Sequence, residues 1–162
     1  MKTLIKLILC AGLVSVPMQT QDQHFSISID PKEASCIYEA LWFEARGESK
    51  EGIRAVLSVI QNRVLHEQFP NSYCAVIRQH RQFSYVWQRK AYGLSLTPQP
   101  TMMHNDLANF MKSLANDTLA GKFKNIFDKD VLWYHTKNVK PKWSRKMLRV
   151  ISIDNHIFWR NK

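Results

Sequence analysis

Apolar residues recur at helical spacing in three stretches of the chain. From Glu33, the residues Ala34, Ile37, Ala40 and Leu41 fall on one side of a helix, and Gly47 is placed to end it. Ser49 can cap a second helix, with Glu51 in its first turn. Its stripe of Ile53, Val56, Leu57, Ile60 and Val64 is the strongest helical pattern in the sequence. Phe69-Pro70-Asn71 then reads as a loop, and Ser72 to Gln79 as a short helix. A third long helix is expected over Met102 to Ala120, with Leu107, Phe110, Met111 and Leu114 on one face and Gly121 at its end. Two stretches carry no clear period: the aromatic and basic run Arg81 to Lys90, and Tyr92 to Thr101 with Gly93, Pro98 and Pro100. Beyond residue 130 the pattern changes. Val131 to His135 reads as a strand, and Leu148 to Ile153 with His156 to Arg160 as a hairpin turning at Asp154-Asn155. These elements predict an α+β, mainly α fold: a helical core with a small β-hairpin element.

The length of 162 residues suits one domain with its own core. The formal charge of +10 narrows the partners to something anionic: nucleic acid, an acidic membrane surface or a carboxylate-bearing cell wall. The first twenty residues stand apart. A basic start with Lys2 and Lys6 leads into an apolar block from Leu7 to Val16, which Pro17 breaks. That order predicts an export signal or signal anchor over residues 1–20, in transient contact with the membrane, and a single domain over residues 21–162. A buried N-terminal helix is the alternative. Cys10 falls in this leader, which leaves Cys36 and Cys74. In an exported chain two such cysteines suggest one disulfide, against the alternative of two buried thiols. No C-x-x-C pair or cysteine–histidine cluster supports a metal site, and no cofactor is expected.

The chain has thirteen acidic residues, few enough to weigh singly. At about 100° per residue, Glu39 points roughly 140° away from Glu44. Glu44 instead lies within about 60° of Ile37, Ala40 and Leu41, on the apolar side of the last helical turn. Partial burial and the negative end of the helix dipole both favour its protonated form. A carboxyl kept protonated near neutral pH is what a general acid requires. The competing reading pairs Glu44 with Arg46 or Arg54 at the surface. Glu48 is a secondary candidate, and capping the helix that starts near Ser49 is its structural alternative. Gln82-Phe83-Ser84 and Trp133-Tyr134-His135 offer aromatic faces beside amide, hydroxyl and imidazole groups, a combination suited to sugars. Packing is the plainer role for Trp87, Trp133 and Trp143.

The stretch from Ala40 to Ser49, Ala-Leu-Trp-Phe-Glu-Ala-Arg-Gly-Glu-Ser, followed by Gly52 and Ile60-Gln61-Asn62-Arg63-Val64, resembles the cell-wall hydrolase family of the spore cortex-lytic enzymes, SleB-like. Cys74-Ala75-Val76-Ile77, Gln82-Phe83-Ser84, Tyr134-His135, Val139 to Trp143 and Asn155 to Phe158 extend the likeness from about Glu33 to the end. The resemblance implies a lysozyme-like core related to lytic transglycosylases, acting on peptidoglycan glycan strands at the bond between N-acetylmuramic acid and N-acetylglucosamine. It implies one essential glutamate, which in this chain is Glu44, and substrate contacts at Gln82, Ser84, Tyr134 and His135. An exported, monomeric enzyme of the periplasm or cell wall is then expected, without nucleic acid as partner. It would act in cell lysis or in wall remodelling. Two alternatives stand beside it: a hydrolytic muramidase, and a non-enzymatic cationic protein that binds membranes or nucleic acid through the Arg81 to Lys90 stretch, where Phe83, Tyr85 and Trp87 interleave with the charges.

Overall fold

The computed structural model describes residues 29–80 and 82–162. The expected export signal, with Cys10, lies outside the described residues. Helix α1 (Pro31–Ala45) begins two residues before the expected Glu33. The reason is local: Asp30 is the N-cap, its carboxylate accepts from the Lys32 amide at 2.8 Å, and Pro31 occupies a first-turn position where no N–H is needed. Helix α2 (Lys50–Val64) starts where Ser49 caps it, the Ser49 hydroxyl accepting from Gly52 N at 3.1 Å. The short α3 (Tyr73–Arg78) follows the Phe69-Pro70-Asn71 loop. The next helix, α4 (Ser84–Ala91), falls in the stretch that shows no period in the sequence. Of its residues only Tyr85 is buried, so there is no apolar stripe to read. The third long helix divides into a 3₁₀ turn, Met102–His104, and α5 (Asn105–Leu119), and Gly121 beyond it takes a left-handed φ of 70°.

Helix α1 is the centre of the helical layer and packs against α2, α3 and α5. Ile37, Leu41, Ile53, Val56, Leu57, Ile60, Ile77 and Met111 are fully buried there. The bridge between Cys36 and Cys74 (Cα–Cα 5.3 Å) ties α1 to α3. Glu33 works beside it, accepting from the Tyr73 and Cys74 amides at 2.7 and 3.2 Å.

The β element is larger than a hairpin. Strand β1 (Val131–Thr136) joins β2 (Leu148–Ile153) and β3 (His156–Arg160) in an antiparallel sheet of order β1-β3-β2. Tyr134 pairs with Phe158 and His135 with Ile157. The turn between β2 and β3 sits at Asp154-Asn155, as expected, and Asp154 takes a φ of 46°, which a short polar side chain tolerates. One end of β1 is held by α2, where Asn62 donates to the carbonyls of Asp128 and Val131 at 2.8 and 3.1 Å. The sheet divides its aromatics between two faces. Tyr134 packs with His156 and Phe158. His135 packs with Trp143 and Trp159, under a 3₁₀ turn over Lys142–Lys146 that carries Trp143.

Candidate active site

Three elements converge on the end of α1. Glu44 lies in its last turn, Arg63 in the last turn of α2, Tyr85 in α4 and Tyr134 in β1. The Tyr134 hydroxyl donates to Glu44 Oε2 at 3.4 Å, longer than an ordinary O–H···O bond. Glu44 forms no ion pair among the described residues. The alternative pairings do not form, because the Arg46 guanidinium lies over Trp42 and the Arg54 guanidinium over Phe110.

Burial therefore decides the protonation of Glu44. Desolvation pushes its pKa from an ordinary 4.5 up to about 7, and the Tyr134 hydroxyl and the Arg63 charge only partly oppose it. A long hydrogen bond stabilises a carboxylate weakly, so desolvation wins. Arg63 is itself buried. Its Nε donates to the Leu132 carbonyl at 2.8 Å, and its guanidinium lies 5.6 Å from the ring centres of both Phe69 and Trp133. Held in this way, it supplies positive potential without quenching Glu44 by direct contact. Tyr85 stacks on Phe43 at 4.9 Å, and its buried hydroxyl has no hydrogen-bond partner among the described residues. Burial first, then the charge of Glu39, raise its pKa, so it stays a neutral donor.

The other acids nearby are occupied. Glu39 is buried and forms a two-pronged ion pair with Arg78, the second contact at 2.5 Å. Helix α1 thus buries a carboxylate on the side opposite Glu44 as well, and the apolar-side geometry alone did not separate the two. Glu48 does not cap α2. Its carboxylate accepts from the Asn155 amide at 3.0 Å and the Asn155 side chain at 3.2 Å, with His156 Nδ1 at 3.7 Å. Asp154 answers by accepting from the Ser49 amide and hydroxyl at 2.8 and 2.6 Å. This clasp joins the α1–α2 corner to the β2–β3 turn. Gly52 is required beside it, because a Cβ there would overlap the Asp154 carboxylate.

Of the residues singled out in the sequence, the structure brings Tyr134 to Glu44. Ser84 is the exposed first residue of α4, the element that carries Tyr85, and Gln82 lies in the turn just before it. His135 is not brought there. It points to the opposite face of the sheet, stacked on Trp159 at 5.6 Å, with its Nδ1 near the Thr136 carbonyl at 2.8 Å. Strand alternation enforces this, since neighbours in a strand face opposite ways. Sequence reasoning placed neither Arg63 nor Tyr85 beside Glu44. Arg63 carried a readable signal: it falls seven residues after Val56 and three after Ile60, a charge on the apolar stripe of α2. Among the described residues, no cluster of three histidine, cysteine or acidic side chains could hold a metal ion.

Residues 47–159 match the family profile described as Cell Wall Hydrolase. The matched span opens three residues after Glu44. Two solved structures are similar across most of the chain. One is the catalytic domain of the germination-specific lytic transglycosylase SleB from Bacillus anthracis, with 26% identity and a TM-score of 0.62, covering 81% of this chain and 96% of that one. The other is the catalytic domain of the Bacillus cereus SleB protein, with 27% identity and a TM-score of 0.61, covering 82% and 93%. No curated protein sequence matches.

Proposed function

The chain belongs to the cell wall hydrolase family, and from that premise we propose that this peptidoglycan-degrading enzyme is a lytic transglycosylase in which Glu44 is the one catalytic carboxyl. The observation that carries the reading is the state of Glu44: a carboxyl protonated up to about pH 7 by burial, facing Tyr134, while Glu39 and Glu48 are engaged elsewhere. Glu44 first donates its proton to the glycosidic oxygen between the muramyl and glucosaminyl residues, and the C1–O bond breaks. Charge develops at C1 as the carboxylate forms, and the Arg63 potential stabilises that carboxylate. Glu44 then takes the proton from the muramyl 6-hydroxyl while that oxygen closes on C1. The product is a 1,6-anhydro end, no water is consumed, and the glutamic acid is restored. One group serving as acid and then as base is the logic of retaining glycosidases. In this reading Tyr134 bonds a substrate oxygen, and Gln82 and Ser84 contact the glycan.

The bridge between Cys36 and Cys74 suits an exported protein and supports action in the periplasm or cell wall, in lysis or in wall remodelling. Digestion of purified peptidoglycan, read by mass spectrometry, tests the chemistry. Anhydro muropeptides, one water lighter than hydrolysed ones, are expected. Reducing ends in their place would make the protein a hydrolytic muramidase.

A further inference from the structure

Around Phe43, the residue before Glu44, lies a concavity that the cleavage chemistry leaves unused. It has a volume of ≈ 290 Å³, and two arginines, Arg46 and Arg89, share it with Trp42, Phe43, Gln99 and His104. No acidic residue among the described ones lines it. Phe43 is part of its lining. Tyr85 stacks on the Phe43 ring, and Arg89, one turn further along α4, holds its guanidinium 4.5 Å from the same ring. The fork of Arg89 is fixed, because its Nε donates to the Ser95 carbonyl at 2.5 Å. The exposed Arg46 lies 5.9 Å above Trp42, whose ring meets the edge of His104 at 5.7 Å. The orientation of His104 is in turn set by Thr101 at 2.7 Å.

Two arginines pair with carboxylates, Arg78 with Glu39 and Arg160 with Asp130. Among the described residues Arg46 and Arg89 form no ion pair. Two guanidinium groups thus line one hollow without a carboxylate of the described residues between them. Their planar forks match a carboxylate better than a sugar hydroxyl. The neutral acetylated glycan backbone carries no such group, but the peptides hanging from its muramyl residues do. We infer that this pocket binds a carboxylate of the stem peptide next to the bond cleaved, which makes Arg46 and Arg89 specificity-determining residues. The inference rests on the proposed function.

The test uses the full chain and soluble peptidoglycan fragments in two forms, with free stem carboxylates and with the same carboxylates amidated. Wild type should show a KM ~10-fold higher for the amidated form, with kcat little changed, as loss of one charge-assisted contact would give. The double variant Arg46→Gln with Arg89→Gln should show that raised KM on both substrates and no longer distinguish them. Should the double variant fail to fold, Arg46→Gln alone, at an exposed position, should reduce the discrimination by about half on a logarithmic scale. Equal KM values for the two forms in wild type, or full discrimination retained by the variants, would overturn the pocket's role while leaving cleavage intact. Cleavage of neither form by wild type would instead overturn the proposed function, and the inference with it.

Discussion

Glu44 and Glu48 stand four residues apart at the end of one helix, yet they occupy opposite kinds of site. Glu44 has one long hydrogen bond and a pKa pushed up to about 7. Glu48 has two hydrogen bonds from Asn155 and a histidine at 3.7 Å, within a clasp that also engages Ser49 and Asp154. Both carboxylates are largely removed from solvent. The difference lies in what replaces water. Around Glu48 the fold supplies donors, so the charge is held and the corner is fixed. Around Glu44 it supplies rings and a distant arginine, so the charge is disfavoured and the proton stays available. A carboxyl left short of donors weakens the fold, and reactivity is what it offers in return.

The sharpest way to break this contrast is Glu44→Gln. Loss of the single acid–base group should lower the rate of peptidoglycan cleavage by at least ~10³-fold, measured on purified walls. Wild-type cleavage by this variant would sink the assignment. The second test is stability against pH. The folded pKa of Glu44 is raised, so its contribution is complete below about 4.5 and is lost as pH rises through about 7. Wild type should lose up to about 3 kcal/mol across that window from this group, and Glu44→Gln should not. Denaturant titrations of the two proteins at each end of the window measure it, and parallel curves would contradict the burial argument.

Glu48→Ala should behave in the opposite way. It strands the Asn155 amide and should cost about 2 kcal/mol of stability, while the cleavage mechanism at Glu44 is retained in the protein that stays folded. A rate loss as large as that of Glu44→Gln, without unfolding, would give Glu48 a chemical role. Asp154→Asn should cost less, about 1 kcal/mol, because its site is exposed. The bonds from Ser49 lower the Asp154 pKa, so its contribution is present above the ordinary carboxylate range and fades as pH falls below it, the reverse of Glu44. The smallest effect is expected from Tyr134→Phe. Removing the donor raises the Glu44 pKa further, so the alkaline limb of the pH–rate profile should move to higher pH. A shift to lower pH would mean that the contact does not favour the carboxylate.

Much of the scaffold was legible along the chain. The α2 stripe, the Ser49 cap, the Asp154-Asn155 turn and the strand beginning at Val131 all follow from period and turn chemistry. The helix α4 did not, because one buried tyrosine makes no stripe. The third strand position was open as well, since period marks β1 as a strand but says nothing about its partner. The candidate site was legible in part. Glu44 stood out by its side of the helix, but Glu39 on the other side is buried as well, paired with Arg78 from a segment 39 residues away. His135 and Tyr134 were equal candidates in the sequence, and strand alternation sends only Tyr134 toward Glu44.

The sequence by itself determined where α2 is capped, where the β2–β3 turn falls, which residues are apolar enough to form the core, and that a carboxyl sits on the inner side of the end of α1. These are local properties, set by spacing, capping and backbone preference over a few residues. Only the tertiary structure decided which carboxyl lacks donors. That depends on what α2, α4 and the sheet bring against each acid: Arg78 to Glu39, Asn155 to Glu48, and to Glu44 little more than a distant hydroxyl. The protonation of a buried group follows the balance of desolvation against its partners, and those partners come from distant parts of the chain.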